Sequence, residues 1–371
     1  MSQKQRILFI SEQPWERQAK LAHALRDAGV SVMLLHIALP TFDASKYFDY
    51  VLPCASPWEV LDVAMRLNPD IIHLFSMASD RTAVVIAQNT RAKLVYDYKD
   101  MFENVIVDPP DRWRWETQRY LVERADGICA RDGQIDNYCR VNNVELKKPV
   151  LRFPDYCHGM NFGRKQKLGL GDDLHVVMVG TFIPEDVFPQ WASHGLYMIA
   201  QAMAEQRIYL HVYPTAWTFN AMYTRNESIY VDLAGKTEYF TLHQTVPIER
   251  LIEEISRYDF GAILYQGEIA GMPENFLLNR HYEYGTATRM FDYLEAGLDV
   301  IVQGCLKNQA SFLAEHDFGS IVDKNFIHGD MRAQLLQWKR DPARKMALAR
   351  AREELTVGRH VSELLELYRS L

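Results

Sequence analysis

Gly285-Thr286-Ala287-Thr288-Arg289-Met290-Phe291-Asp292-Tyr293-Leu294-Glu295-Ala296-Gly297-Leu298-Asp299-Val300-Ile301-Val302-Gln303 is the stretch whose reading decides the fold. It reads as a loop, a short helix, a glycine stop and a buried strand. Thr286 or Thr288 is placed to cap the helix by accepting a backbone N–H bond. Gly297 falls where helices most often end, in a left-handed turn that glycine adopts without steric cost. Val300-Ile301-Val302 is a short β-branched run of the kind that fills a strand covered on both faces.

The chemistry of this stretch lies at the start of its helix. Unpaired N–H groups and the positive end of the helix dipole favour an anion near Gly285, Thr286, Ala287 and Thr288. Arg289 follows directly and can grip a phosphate at two points. Asp292 lies about one turn on, on roughly the same side. A cation and a carboxylate so spaced suit a nucleoside diphosphate: charge for the phosphates, an acceptor for the ribose hydroxyls. Taken alone, the pair also fits an ordinary surface ion pair.

Working outward, the chain of 371 residues is long for one domain and comfortable for two. Its net charge of −7 argues against a nucleic-acid binder that works by neutralising phosphates. Met1 to Phe153 is charge-neutral, so the acidity lies in the remainder. The five cysteines, Cys54, Cys129, Cys139, Cys157 and Cys305, are scattered and show no CxxC spacing. Neither a disulfide framework nor a zinc knuckle is expected. With no leader pattern at Met1, a cytoplasmic setting is expected. No apolar run reaches the length of a membrane span. Arg112-Trp113-Arg114-Trp115 is the best candidate for a peripheral contact at the inner face of a membrane.

The first half alternates strands and helices. Arg6 to Ile10 is a strand, Ser11 to Trp15 a loop, Glu16 to Ala28 a helix stopped by Gly29, and Val30 to His36 a second strand. Strands follow at Tyr50 to Leu52, Asp70 to Phe75, Lys93 to Asp97, Gly127 to Ala130 and Val150 to Phe153, with helices at Trp58 to Leu67, Arg81 to Asn89 and Trp113 to Arg124. Such units build a parallel sheet with right-handed crossovers and a ligand site at the carboxyl ends of the strands. The loop after the first strand contains no glycine, which argues against a dinucleotide-binding dehydrogenase. Glu12, Asp97 and Asp100 leave strand ends. Glu12 and Asp100 are therefore candidates for a general base or an acceptor contact. His73, late in an apolar strand, reads as a hydrogen-bonded core histidine.

Cys157 to Asp173 is polar and glycine-rich and reads as a linker. His175 to Gly180 then starts a second α/β unit, with Thr181 at the head of its first loop. A helix at Leu196 to Glu205 follows, then strands at Arg207 to Tyr213 and Tyr239 to Leu242. A helix at Pro247 to Ser256, a strand at Phe260 to Leu264, the opening stretch and a helical tail complete it. The expected division is residues 1–156, a linker 157–173, a second domain 174–355, and a closing helix 356–371 returning towards the first. Strand order places a nucleotide base near Tyr213 and the His243 to Thr245 loop. Lys236 is a second candidate phosphate cation.

Tyr258-Asp259-Phe260-Gly261-Ala262-Ile263 and Arg289 to Ile301 resemble the C-terminal domain of GT-B glycosyltransferases, most closely the large family 4 group that uses nucleotide sugars. Val179-Gly180, Pro14 to Leu35, Glu123 to Ile128 and Val361 to Tyr368 are similar to other segments of that family. The resemblance implies an α/β fold of two Rossmann-like domains facing each other across a cleft. It implies transfer of a sugar from a nucleotide-activated donor to a saccharide, lipid-linked or protein acceptor, in surface polysaccharide or glycoconjugate synthesis. No separate cofactor is implied. Arg289 occupies the family's phosphate-binding lysine position, and Asp292 that of its ribose-binding glutamate. The earlier glutamate of the family's pair falls at Tyr284, with Glu283 one residue off. No Asp-x-Asp pair ends a strand, so metal independence is expected, and the family suggests retention at the anomeric carbon. A nucleotide-sugar epimerase and a non-catalytic, glycosyltransferase-like binding partner fit the same architecture.

Overall fold

The protein's structure, a computed structural model, describes residues 5–75, 81–101, 112–160, 163–168, 171–182, 195–215, 228–265 and 283–371. Its contacts divide into two units. One holds the chain up to Gly159, a short segment ending at Thr286, and Leu355–Leu371. The other holds the rest.

The first unit begins β1 (Arg6–Ser11), α1 (Glu16–Asp27), β2 (Ser31–His36), β3 (Tyr50–Pro53), α2 (Pro57–Leu67), β4 (Ile71–Phe75) and α3 (Arg81–Asn89). It continues β5 (Lys93–Tyr98), α4 (Arg112–Arg124), β6 (Gly127–Ala130), α5 (Gln134–Asn142) and β7 (Val150–Arg152). Its sheet runs β3-β2-β1-β4-β5-β6-β7, parallel throughout. The order reverses direction between β1 and β4, the place where doubly wound sheets open a crevice at their carboxyl ends. Leu8, Ile10, Ile72, Leu74 and Leu94 on one face pack with Val60 and Ala64 of α2 and Ala83 and Ile86 of α3. Each of these leucine, isoleucine and valine side chains contributes roughly 1.5–3 kcal/mol by leaving water.

The second unit runs β8 (His175–Gly180), α6 (Leu196–Glu205), β9 (Tyr209–Pro214), α7 (Ile229–Lys236), β10 (Phe240–Leu242), α8 (Ile248–Ile255) and β11 (Phe260–Ile263). It continues α9 (Arg289–Glu295), β12 (Asp299–Gln303), α10 (Lys307–His316), β13 (Gly319–Val322), α11 (Met331–Arg340) and α12 (Pro342–Glu354). Its sheet runs β10-β9-β8-β11-β12-β13, again parallel. Val176, Met178, Leu210 and Val212 face Ile199, Ala200 and Met203 of α6. The last helix, α13 (Val357–Arg369), packs against α1 in the first unit. There the Tyr368 hydroxyl lies 2.6 Å from His73 Nδ1, inside the sheet's core.

The opening stretch folds as its sequence dictates at one end and differently at the other. Gly297 takes φ +74°, and the N–H groups of Gly297 and Leu298 return to Leu294 and Tyr293, a Schellman stop. At the start, neither threonine caps the helix. Thr288 sits at the cap position in helical geometry with no side-chain cap bond, and the first turn closes through tight bonds from Met290 to Ala287 and from Phe291 to Thr288. Other segments also differ from expectation. Helices α5 and α7 carry no sequence expectation, because each follows a polar segment and its apolar spacing is short. The polar stretch after Cys157 is not featureless: Lys165 and Leu168 donate backbone N–H groups to Ser256 and Arg257, and the Lys165 ammonium pairs with Glu254.

Among the described residues no helix is long and apolar enough to cross a membrane. In the Arg112–Trp115 segment, which opens α4, Trp113 is 41% exposed and Trp115 is half-buried.

Gly261 of β11 is a packing constraint with a measurable signature. A Cβ there would lie 2.2 Å from Cγ of Tyr293. A Cβ at Gly235, late in α7, would meet nothing within 4 Å. Gly261→Ala is expected to cost about 1–3 kcal/mol by overpacking, whereas Gly235→Ala should gain roughly 0.5–1 kcal/mol through reduced chain entropy. Urea unfolding of the two variants tests this, and loss of the sign difference would refute the packing account.

Candidate functional site

Of the residues singled out in the second unit, Arg289 stands at the carboxyl ends of β8 and β11. Arg289, the first residue of α9, reaches back across β8. Its Nη1 donates to the carbonyl of Val179 at 3.0 Å, and its Nη2 donates to the Tyr265 hydroxyl at 2.6 Å. This reach depends on Gly180: a Cβ at that position would stand 2.5 Å from Nη1. Gly180 also takes φ +129°, which other residues rarely adopt. Four residues along α9, the Tyr293 hydroxyl accepts from the Val179 N–H at 2.8 Å and lies 3.4 Å from the Ala262 carbonyl. Phe182 and Tyr265 present their rings to the guanidinium at 6.0 and 5.9 Å. Thr181 is exposed beside this group, and Asp292 is buried in the first turn of α9.

Gly285 and Thr286 fall with the first unit instead. The Thr286 N–H donates to Asp132 Oδ2 at 2.7 Å. Its amide is thus engaged with a carboxylate. Ala287 and Thr288, half-buried or nearly so, lead into α9. The Tyr284 ring lies 5.8 Å from the Arg140 guanidinium, again within the first unit.

Tyr213 and His243 stack at 4.2 Å with their planes 3° apart. Tyr213 is buried and His243 half-buried, so His243 is the more accessible layer. From His243 a row of imidazoles runs across the sheet to His175. His175 Nδ1 lies 2.9 Å from His211 Nε2, and His211 Nδ1 lies 3.0 Å from His243 Nε2. Tyr258 reaches His243 Nε2 at 3.4 Å and the Tyr213 hydroxyl at 2.7 Å. Burial first, and the neighbouring imidazoles second, push His211 down to about 2. Burial likewise lowers His243 to about 4, and lowers His175. Sequence spacing carries one signal for this row: Tyr209, His211 and Tyr213 share a face by strand alternation.

In the first unit, Glu12 and Asp100 both stand at strand ends and both are engaged. Glu12 Oε1 accepts from the Thr82 hydroxyl at 2.9 Å, bridging the end of β1 and the start of α3. Asp100 Oδ1 accepts from Arg131 Nη2 at 2.9 Å. Asp97 lies deeper, gripped by Arg17 Nε at 2.9 and 3.0 Å, while Arg17 Nη1 holds Asp155 at 2.8 Å. Burial works to raise the Asp97 carboxyl, but Arg17 and His73 overcome it and hold its pKa below the ordinary value. The ligand atoms of His73, Asp97 and Cys129 lie close enough to suggest a cation site. A cation already occupies this group: Arg17 reaches both Asp97 and Cys129, and His73 gives Nδ1 to Tyr368 while its Nε2 faces Asp97 at 3.3 Å. The group does not fit a metal in this arrangement. Sequence reading misses Arg17, Arg131, Asp132, Tyr265 and Tyr293 because their partners lie far along the chain.

No family model matches the chain, and no curated protein matches its sequence. Solved structures do match its fold. A glycosyltransferase from Rickettsia africae aligns with a TM-score of 0.65 at 12% identity over 99% of this chain and 98% of its own. Sucrose-phosphate synthase from Thermosynechococcus elongatus gives 0.65 at 15% identity over 99% and 98%. Anabaena Alr3699/HepE in complex with UDP and glucose gives 0.66 at 14% identity over 99% and 100%. The fold is the GT-B type, α/β with two Rossmann-like domains.

The imidazole row fixes a pH dependence. His211 is neutral in the folded protein, with a pKa depressed below the ordinary 6.5, so its contribution is complete above that value and is lost as pH falls. From about pH 6.5 to about pH 5 it should remove on the order of 2 kcal/mol. His211→Gln should flatten the dependence of the urea midpoint over that range; an unchanged slope would remove His211 as its source.

Proposed function

We propose that the chain is a glycosyltransferase that binds a nucleotide-sugar donor in its second unit and a saccharide, lipid-linked or protein acceptor in its first. The observation that carries this reading is the Arg289 guanidinium, held over Gly180 at the carboxyl ends of β8 and β11 in a GT-B fold. Those strand ends are where an open α/β sheet receives a ligand. The UDP and UDP-glucose bound in the structures of Anabaena HepE are consistent with it.

In this reading Arg289 meets the donor diphosphate and stabilises the charge that develops as the sugar–phosphate bond breaks. The Tyr265 hydroxyl is the exchangeable partner, giving way to a phosphate oxygen, while the Val179 carbonyl keeps the guanidinium in place. Asp292 serves the ribose hydroxyls, His243 offers its outer face to the base, and Thr181 borders the phosphates. Glu12 and Asp100 border the acceptor hydroxyl at the ends of β1 and β5. Charge supplied by Arg289 makes a metal-independent departure of the diphosphate the expected mechanism, with retention at the anomeric carbon.

Two measurements test the assignment. Titration with UDP, GDP, CMP and ADP should select one nucleotide. Arg289→Ala should then lower turnover with the corresponding sugar nucleotide by about 10²–10³-fold, as loss of an electrostatic stabiliser does, in a protein that still folds but melts a few degrees lower, because the Val179 carbonyl loses its partner. Near-normal turnover in Arg289→Ala would defeat the assignment, and failure of all four nucleotides to bind would defeat the donor reading itself.

A further inference from the structure

Lys99 follows directly on β5, at the carboxyl end of the first unit's sheet. Its ammonium lies 3.9 Å from the centroid of the Trp15 ring. Among the described residues it makes no hydrogen bond and no ion pair. That is unusual company for a lysine, because three carboxylates stand nearby. Each of them is already held by a guanidinium: Asp97 by Arg17, Asp155 by Arg17 and Arg131, and Asp100 by Arg131.

Trp15 is held for this contact through its backbone. Its main-chain N–H donates to Gln18 Oε1 at 3.0 Å, and Gln18 Nε2 reaches the Ser11 hydroxyl at 3.3 Å, tying the first turn of α1 to the end of β1. A cation over an indole face gains roughly 0.5–2 kcal/mol, but an aromatic face cannot accept the three N–H bonds of an ammonium. Lys99 is therefore a positive charge fixed in place with its donors unspent. Burial lowers its pKa, and Asp100 opposes that only in part. An arriving anion would supply what is missing. A lysine serves such an anion as a point charge rather than a fork, so phosphate and carboxylate are both accommodated. The position is suited to a substrate: Lys99 stands at the carboxyl end of β5, and open α/β sheets bind their ligands at the carboxyl ends of their strands.

We propose that Lys99, steadied on Trp15, binds an anionic group of the acceptor, so that the acceptor is an acidic saccharide or a phosphate-linked one. The inference rests on the reading of the first unit as the acceptor side. A carboxylate on a uronic acid and a phosphate on a lipid-linked sugar share this chemistry, and binding measurements separate them.

Calorimetry on the full chain would use methyl β-D-glucuronide, geranyl phosphate and, as the neutral control, methyl β-D-glucoside. At least one acid should bind about tenfold or more tightly than the glucoside. Lys99→Gln should lose that advantage, and Lys99→Arg should keep most of it. The acid that binds names the source of the charge. Both variants should retain the parent's thermal midpoint and its affinity for the donor nucleotide, which reports on the second unit separately. Equal binding of the acids and the glucoside, absence of binding by either acid, or an unaltered preference in Lys99→Gln would overturn the proposal. Failure of UDP and the other nucleotides to bind, with the acid preference intact, would count against the donor reading alone.

Discussion

Val179, next to last in β8, turns both of its backbone polar groups towards β11, since Gly180, the following residue, gives its carbonyl to Thr215 on the β9 side. The β8–β11 pairing registers only Val176 and Val177. Beyond that point the ladder is completed by side chains of α9: Tyr293 takes the Val179 N–H and Arg289 takes its carbonyl. A buried backbone group left unpaired costs about 1–3 kcal/mol, so the bonds are not optional. They couple the placement of α9 to the end of a central strand. Two glycines make that coupling possible. Gly261 lets the Tyr293 ring lie against β11, and Gly180 lets the Arg289 guanidinium cross β8. The cation at the strand ends is positioned by the same contacts that close the sheet.

The first unit solves a different problem. It buries Arg17, Arg131, Asp97, Asp132 and Asp155 together, and burial of charge is tolerated only when partners and hydrogen bonds are nearly complete. The guanidiniums supply this by forking between carboxylates. Lys99 stands at the edge of that network as a cation with no carboxylate assigned to it among the described residues. Tyr368, at the far end of the chain, enters the same core through His73, so the closing helix is part of the first unit's interior rather than an appendage.

Much of this architecture was legible from residue patterns. Short apolar runs mark strands at His175–Gly180 and Gly127–Ala130 with the observed limits, and Gly297 marks its helix end. What the patterns could not supply was the direction of side chains. Thr286 reads as a cap or a phosphate contact, yet its amide serves Asp132, 154 residues away. Glu12 and Asp100 are recognisable as strand-end carboxylates, but their engagement with Thr82 and Arg131 depends on the order of strands. Tyr265 and Tyr293 carry no local signal at all, because each acts through a backbone group or a guanidinium brought near by the fold.

The imidazole row has a property that no single histidine in it has. A neutral imidazole carries one N–H, so His211 can point its proton towards His243 or towards His175, but not both. Each choice fixes the tautomers of its neighbours. The row therefore has two senses, and reversing it requires every member to shift its proton together. Tyr258, 3.4 Å from His243 Nε2, serves either sense, because its hydroxyl can donate to that nitrogen or accept from it. The second sheet thus holds a polarity across its strands that is independent of its helices: a small, orientable dipole made of three side chains, ending in the ring on which we place the nucleotide base.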